Sequence, residues 1–267
     1  MGVSSLFMED FKEIDVATPF RLDGKVCIVT GASSGLGERF ARVFAAAGGK
    51  VVVAARRIER LSALASSLPD AIALQCDVSK DDQCKKLIND AINHYGQVDV
   101  LVNNAGISDA VNPAAEADIA LFRQVVDVNL NACFLLSALA ARDMLERGTG
   151  SIINIASVHG LVASAPNLQP AYAASKAGLI NLTRDLAVQW AKQGVRVNAI
   201  CPGYFDTELT NVMFEDSRMI TWIERNTAMK RGGKIEELDG ALLFLASEAS
   251  SYVTGVPIPV DGGWTAR

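Results

Sequence analysis

Tyr172 and Lys176 stand four residues apart in the run LQPAYAASKAG, residues 168–178. The alanine-rich composition predicts a helix there. At that spacing both side chains rise from one helix face, one above the other. A free phenol has a pKa near ~10, too high to exchange protons readily near neutral pH. An ammonium beside it favours the phenolate and pulls that value down. Taken alone, the pair reads equally as a solvated tyrosine and lysine on a surface helix. It becomes chemistry only if the chain also supplies a redox cofactor, an anchor for a carbonyl oxygen and a path for the proton.

The elements that would position such a pair are legible from Lys25 onward. Residues 26–29, VCIV, form a short apolar run that leads into TGASSGLG, residues 30–37. A helical pattern follows through Phe40, Val43, Phe44 and Ala47 and stops at Gly48 and Gly49. A second buried strand, residues 51–55, comes next. Strand, glycine turn, helix and strand make a βαβ unit of the dinucleotide-binding kind. Gly31 is expected to permit the tight turn out of the strand. Gly35 is expected to let the backbone approach a pyrophosphate, and Gly37 to let helix and strand pack closely. The amides and positive dipole end of the helix N-terminus would then face the phosphates.

The end of the second strand selects between the two nicotinamide dinucleotides. An acidic residue there would accept from the ribose 2′-hydroxyl of NAD, but the chain has Ala55, Arg56 and Arg57. A guanidinium fork matches a 2′-phosphate. The expectation is therefore NADP(H) over NAD(H), with Arg56 as the main contact and Ser33 or Arg57 assisting. The competing reading is two solvated charges at a helix start.

Strands alternate with helices to the end of the chain. Residues 71–76 form strand three, and Asp77 and Val78 follow. Asp77 is suited either to accept from an adenine amino group or to cap the next helix. A helix over 80–95 leads to strand four at 98–102 and then to Asn103, Asn104, Ala105 and Gly106. A long helix is expected over 117–147 with Asn129 inside it. Asparagine is unfavourable in an apolar helix, so Asn129 is either an amide satisfied by neighbouring backbone or a local kink that binds a water. Strand five, 151–155, delivers Ser157 just past its end. After the Tyr172 helix, strand six at 194–200 closes on Cys201, Pro202 and Gly203. Residues 204–232 mix Phe, Met and Trp with charges. They read as a substrate lid or as a helical surface excursion. A helix near 235–247 and a strand at 257–260 complete the pattern. The predicted fold class is α/β, a single Rossmann-type, doubly wound parallel sheet with helices on both faces, spanning 24–267 behind an N-terminal extension, 1–23.

Composition narrows the function classes. A chain of 267 residues, half of them hydrophobic, suits one α/β domain. A net charge of −5 disfavours a nucleic-acid partner. Five cysteines without a CxxC pair and only two histidines, His94 and His159, predict buried thiols in a reducing compartment and no metal site. No secretory signal, myristoylation site or membrane span is expected, so the default is a soluble cytoplasmic protein.

With these residues together, the chain resembles the short-chain dehydrogenase/reductase family, in its shorter branch. The resemblance runs from Leu22 to Trp264 and rests on residues 30–37, Asp77 and Val78, residues 103–106, Asn129, Ser157, the YAASK run at 172–176, and Pro202 with Gly203. It implies that Tyr172 is the general acid in reduction and the base in oxidation. It implies that Lys176 lowers the phenol's pKa and holds the nicotinamide ribose. Ser157 would bond the substrate oxygen, and Asn129 would hold a water in a proton relay. The cofactor would contact Gly31, Ser33, Ser34, Gly35, Leu36 and Gly37 at the turn, Asp77 and Val78 at the adenine, and Asn104, Ala105 and Gly106 along the groove. Pro202, Gly203, Phe205 and Thr207 would flank the nicotinamide, with Thr207 on its carboxamide. A homotetramer, or a homodimer, is the implied assembly, with the long helices around Asn129 and Tyr172 at an interface.

Two departures from the family pattern stand out. The gap from Ser157 to Tyr172 is longer than usual by an insertion within 165–169, with Ser164 as the fallback for Ser157. Phe205 replaces a branched aliphatic residue. The implied activity is interconversion of a ketone and a secondary alcohol with NADP(H), on a 3-oxoacyl or a small ketone or sugar-type substrate. The alternatives are an NAD-dependent secondary-alcohol or polyol dehydrogenase and a non-catalytic dinucleotide sensor. Arg142, Arg147, Lys230 and Arg231 are candidates for an acyl-carrier docking patch, or are solvated charges. Ala163, Ala165, Leu168, Phe205, Met213 and Trp222 are candidates for an apolar pocket or for core. His159 reads as a structural side chain in preference to a substrate contact.

Overall fold

The computed structural model describes residues 15–109, 111–164, 168–208 and 210–266. The first fourteen residues of the expected extension, Ala165 of the expected apolar pocket and part of the expected insertion lie outside them. Of the rest of the extension, Thr18–Phe20 form a single 3₁₀ turn. Leu22 is fully buried against the sheet-covering helices, and its amide donates to the Ala47 carbonyl oxygen at 2.9 Å.

The strands are β1 Val26–Thr30, β2 Lys50–Ala55, β3 Ala71–Gln75, β4 Val100–Asn103, β5 Gly150–Ile155, β6 Val195–Pro202 and β7 Pro257–Val260. They form one sheet in the order β3-β2-β1-β4-β5-β6-β7. Every pairing is parallel, with Val26 beside Lys50 on one side of β1 and Cys27 beside Val100 on the other. The chain reverses its direction of growth between β1 and β4. A crevice opens at such a reversal, outside the carboxyl ends of the strands.

Both faces of the sheet are covered, so the central strands are apolar throughout instead of alternating. On one face Cys27, Val29, Val51 and Val53 pack against α1 (Gly35–Ala46), α2 (Ile58–Ser66) and α9 (Asp239–Ala246). On the other, Val26, Ile28 and Val52 pack against α3 (Asp81–Tyr95), α5 (Ala132–Arg147) and the last turns of α6 (Pro170–Trp190). All five cysteines are buried and free.

The helix expected over 117–147 is α4 (Ile119–Val126) and α5 joined by a π turn, Asp127–Asn131. Asp118 starts it by accepting from the Ala120 amide at 2.8 Å. Its 29 residues, Ile119–Arg147, are long and apolar enough to cross a bilayer, which amends the expectation that no segment is. In the fold this rod lies against α3 and α6, with Ile119 and Phe134 on its open flank.

The irregular stretch 204–232 contains α7 (Asn211–Glu215) and α8 (Ser217–Asn226). Its two ends are stitched together by an isolated bridge between Phe205 and Gly233 and by the Gly233 amide, which donates to the Tyr204 carbonyl at 2.9 Å. The excursion therefore leaves and rejoins the body at one place, beside the end of β6.

Candidate active site

A cleft of about 680 Å³ lies along the carboxyl ends of the strands. At one end it is lined by Gly31, Ser33, Ser34, Gly35 and Leu36, with Arg56, Arg57, Asp77 and Val78 beside them. Asn104, Ala105 and Gly106 form its floor. Ser157, Tyr172 and Lys176, with Pro202, Gly203, Phe205 and Thr207, line the other end. Gly37 and Asn129, singled out in the sequence, lie behind this wall.

The glycine turn is shaped by sterics. Gly31 has φ +67° and Gly35 φ +55°, where a side chain would be strained. A Cβ on Gly31 would stand 2.9 Å from the Ala105 Cα. Ser34 precedes α1 in extended conformation and does not bond the helix amides itself. A helix start lined by glycine and uncapped by its own serine suits a pyrophosphate.

Thr30 ties this turn to the floor. Its hydroxyl donates to the Val102 carbonyl at 3.2 Å and accepts from the amides of Asn104 and Ala105 at 3.0 and 3.1 Å. The Asn104 side chain donates to the Thr30 carbonyl at 2.9 Å. One threonine thereby locks the ends of β1 and β4 on either side of the crevice.

At the glycine-turn end of the cleft the two arginines differ. Arg56 is exposed at the rim. Arg57 reaches over the glycine turn and donates to the Ser33 hydroxyl at 3.1 Å and the Ser34 hydroxyl at 2.7 Å. Its remaining donors hold Glu208 from the 204–232 stretch at 2.9 and 2.8 Å. Bonds from Arg57, then from Ser34, hold the Glu208 carboxyl down to about 2. Asp77 uses one oxygen to accept from the Ser79 amide at 3.0 Å, a local turn before α3.

At the other end, Tyr172 and Lys176 sit on α6. Lys176 is buried, and its ammonium donates to the carbonyl of Ile155, the last residue of β5, at 2.7 Å. The same ammonium stands 5.6 Å from the centre of the Tyr172 ring. The Tyr172 ring is also met edge-on by His159, with centroids 6.2 Å apart. Ser157 accepts from the His159 amide at 3.1 Å, which fixes the turn just past β5. Ser157 and Tyr172 thus face one cleft from the end of β5 and the start of α6.

Asn129 lies in the π turn, a helix irregularity that recurs at functional sites. Its side chain pairs with Ile107 as a peptide would, accepting from the amide at 2.9 Å and donating to the carbonyl at 2.8 Å. It also donates to the Ser175 hydroxyl at 3.1 Å. Of the two readings of Asn129, the structure displays the satisfied amide together with a local departure from α-helical winding. Its side chain fastens the floor loop to α6, next to Lys176.

Some groups at the site carry no local signal in the sequence. Asp109 accepts from the amides of Ala171 at 2.9 Å and Tyr172 at 3.1 Å, the first turn of α6. Gln169, which precedes the helix, provides no side-chain cap. The carboxylate of a loop 62 residues away serves as cap instead. Asp109→Ala should lower stability by about 1 kcal/mol, the usual worth of a helix cap, as read by urea unfolding. An unchanged midpoint would show that the two contacts are idle.

His159 is 7% exposed, and its Nε2 lies 2.9 Å from the Tyr204 hydroxyl. Burial lowers its pKa, so the ring is held neutral. Tyr204 in turn packs against Trp222 at 5.5 Å and Trp264 at 5.0 Å. Of the apolar pocket candidates, Trp222 belongs to this aromatic cluster, Phe205 lines the cleft, and Leu168 is exposed. Of the basic docking candidates, Arg147 is committed to Asp99 and Asp143, and Arg231 to Glu237. No cluster of metal-ligating side chains occurs among the described residues.

A family model described as enoyl-(acyl carrier protein) reductase matches residues 31–265. The galactitol 2-dehydrogenase (L-tagatose-forming) of Cereibacter sphaeroides is 41% identical over 255 residues, covering 94% of this chain and 99% of that one. The 3-oxoacyl-(acyl-carrier-protein) reductase of Thermotoga maritima is 39% identical, covering 91% and 98%. Among solved structures, a short-chain type dehydrogenase/reductase from Mycobacterium marinum superposes with a TM-score of 0.90 at 36% identity, covering 95% of this chain and all of that one. A gluconate 5-dehydrogenase from Burkholderia cenocepacia, in complex with NADP and tartrate, gives a TM-score of 0.89 at 34% identity, covering 95% and 100%.

Proposed function

The chain belongs to the short-chain dehydrogenase/reductase family and is an NAD(P)-dependent oxidoreductase acting on CH–OH groups; from that premise we propose that it interconverts a small, sugar-type or polyol-type ketone and its secondary alcohol, with NADP(H) preferred. The observation that carries this reading is the single cleft, continuous from the glycine turn and its arginines to Ser157, Tyr172 and Lys176.

A bound nicotinamide dinucleotide supplies the hydride in reduction and accepts it in oxidation. The chain's own residues manage the charge that results. As negative charge grows on the substrate oxygen, Tyr172 gives it a proton and Ser157 gives a second hydrogen bond. Lys176 places its charge over the Tyr172 ring. Its other task is to hold the ribose, which its position between Gly106 and the end of β5 suits. Asn129 keeps the floor loop and α6 in register, so its contribution to proton transfer runs through placement and through the backbone of the π turn. Thr207 and Phe205 close the nicotinamide end, and the 204–232 excursion acts as lid over the substrate.

The fit to NADP(H) rests on Arg56 and Arg57. Arg57, expected only to assist, is the one already fixed to Ser33 and Ser34, so we assign it the larger share. Gluconate 5-dehydrogenase with NADP, a structural neighbour, supports the same choice. Relatives named for galactitol and gluconate support a hydroxylated substrate, and two of the four acyl-carrier docking candidates, Arg147 and Arg231, are already paired with acids of this chain. A catalytic role is preferred over a dinucleotide sensor because Ser157, Tyr172 and Lys176 share one cleft. A homotetramer is the proposed assembly, with the open apolar flank of α4 and α5 at an interface.

The test is a rate screen of keto sugars, small ketones, polyols and a 3-oxoacyl thioester, each with both cofactors. The expected result is a higher kcat/KM with NADP(H) and turnover of a hydroxylated substrate. A clear preference for NAD(H), or turnover of the thioester alone, would overturn the proposal.

A further inference from the structure

Glu208 is the chemically odd feature of the cleft. It is an acid standing against two guanidinium groups, Arg57 and Arg60, that suit an anion. Its two oxygens meet the Arg57 guanidinium as a fork, and Arg60 adds a third contact at 3.2 Å. Arg57 sits at the start of α2, just past β2, whereas Glu208 comes from the connection that follows β6, 151 residues away in sequence. No local pattern demands this pair. A carboxylate and a phosphate present similar oxygens to a guanidinium, so one fork cannot serve both at full strength.

We propose that Glu208 is a specificity-determining residue, an internal carboxylate that competes with the 2′-phosphate of NADP(H) for Arg57 and Arg60 and so restrains the preference for that cofactor over NAD(H). This rests on the reading of Arg57 as a 2′-phosphate contact. Glu208 is ionised across the neutral range, so the competition does not depend on pH there. Both partners are nearly half exposed, at 42% and 49%, and solvent weakens the pair accordingly. The restraint is therefore graded. An incoming 2′-phosphate exchanges one anion for another, while a 2′-hydroxyl leaves the Arg57–Glu208 pair in place.

The experiment is calorimetric binding of adenosine 2′,5′-bisphosphate and of 5′-AMP, which differ only in the 2′-phosphate, to the wild type, Glu208→Gln and Arg57→Ala. Glu208→Gln keeps the shape and removes the charge. It should tighten the bisphosphate by about two- to five-fold and leave 5′-AMP unchanged. Arg57→Ala should weaken the bisphosphate about tenfold or more and also leave 5′-AMP unchanged. If Glu208→Gln moves neither ligand, or both equally, while Arg57→Ala behaves as stated, the role of Glu208 is overturned and the cofactor reading stands. If Arg57→Ala leaves the discrimination intact, the cofactor reading itself fails. Weaker 5′-AMP binding in Glu208→Gln would make Glu208 an acceptor for the 2′-hydroxyl and would also overturn the proposal.

Discussion

Tyr172→Phe should lower turnover at least about a hundredfold while dinucleotide affinity and stability stay within a few-fold and a few tenths of a kcal/mol of wild type. The substitution removes one oxygen and keeps the ring. The ring is what packs edge-on to His159 and lies beneath the Lys176 ammonium, so both contacts survive. Lys176 keeps its bond to the Ile155 carbonyl, and Asp109 keeps its bonds to the start of α6. What disappears is the proton that neutralises the growing alkoxide. Ser157 remains to bond the oxygen, which is why a residual rate is expected. Steady-state rates, with nucleotide binding measured separately, separate these effects. Turnover within a few-fold of wild type would remove Tyr172 from the chemistry, and loss of binding in step with turnover would reassign it to the cofactor pocket.

The second large effect is expected at Gly37. A Cβ there would fall inside the van der Waals envelope of the Gly31 carbonyl and 2.6 Å from the Asn104 amide nitrogen. Neither obstacle can swing aside. The first is backbone of the turn, and the second is bonded to the Thr30 carbonyl at 2.9 Å. Gly37→Ala must therefore push α1 away from β1 and the floor loop. Overpacking of this kind costs about 1–3 kcal/mol. The same shift spoils the alignment of the helix start with the phosphates, where displacements near ~1 Å cost about a hundredfold. Dinucleotide affinity should fall by at least about tenfold. Gly240→Ala is the matched control, because a Cβ there meets nothing within 4 Å. It should be neutral or stabilise by up to about 1 kcal/mol. Unchanged nucleotide binding in Gly37→Ala would show that the turn tolerates what its geometry forbids.

What could be read in advance, and what could not, divides by the range of the interaction. The run 26–29 and the run 51–55 announce doubly buried strands because apolar residues need no partner to be recognised. The glycine turn and the spacing of Tyr172 and Lys176 are local in the same sense. Asn129 is different, since its partner Ile107 lies 22 residues back and only the fold brings the two together. Asp109 and His159 are further examples, bonded to Ala171 and Tyr204 at 62 and 45 residues' remove. The stretch 204–232 has a mixed composition because its order comes from Tyr204, Trp222 and Trp264 meeting in space, not from a repeating face. Arg56 and Arg57 show a finer limit. Neighbours at the end of a strand point in opposite directions, and the sequence does not say which one turns toward the glycines. The structure turns Arg57 inward and leaves Arg56 at the rim.

The point where strand order reverses also dictates a history. β1, β2 and β3 are adjacent in sequence and in space, and they are made before the other strands of the sheet. While α3 is being made, the far side of β1 has no neighbour, and an unpaired strand edge is a template for wrong partners. β4 covers it in the folded sheet, and β5, β6 and β7 follow on that flank in sequence order. Parallel strands can pair only after their crossover exists, which makes each addition slow. The half of the sheet that bears the glycine turn thus precedes in sequence the half that carries Tyr172 and Lys176. Until β4 is made, one flank of β1 lacks its native partner.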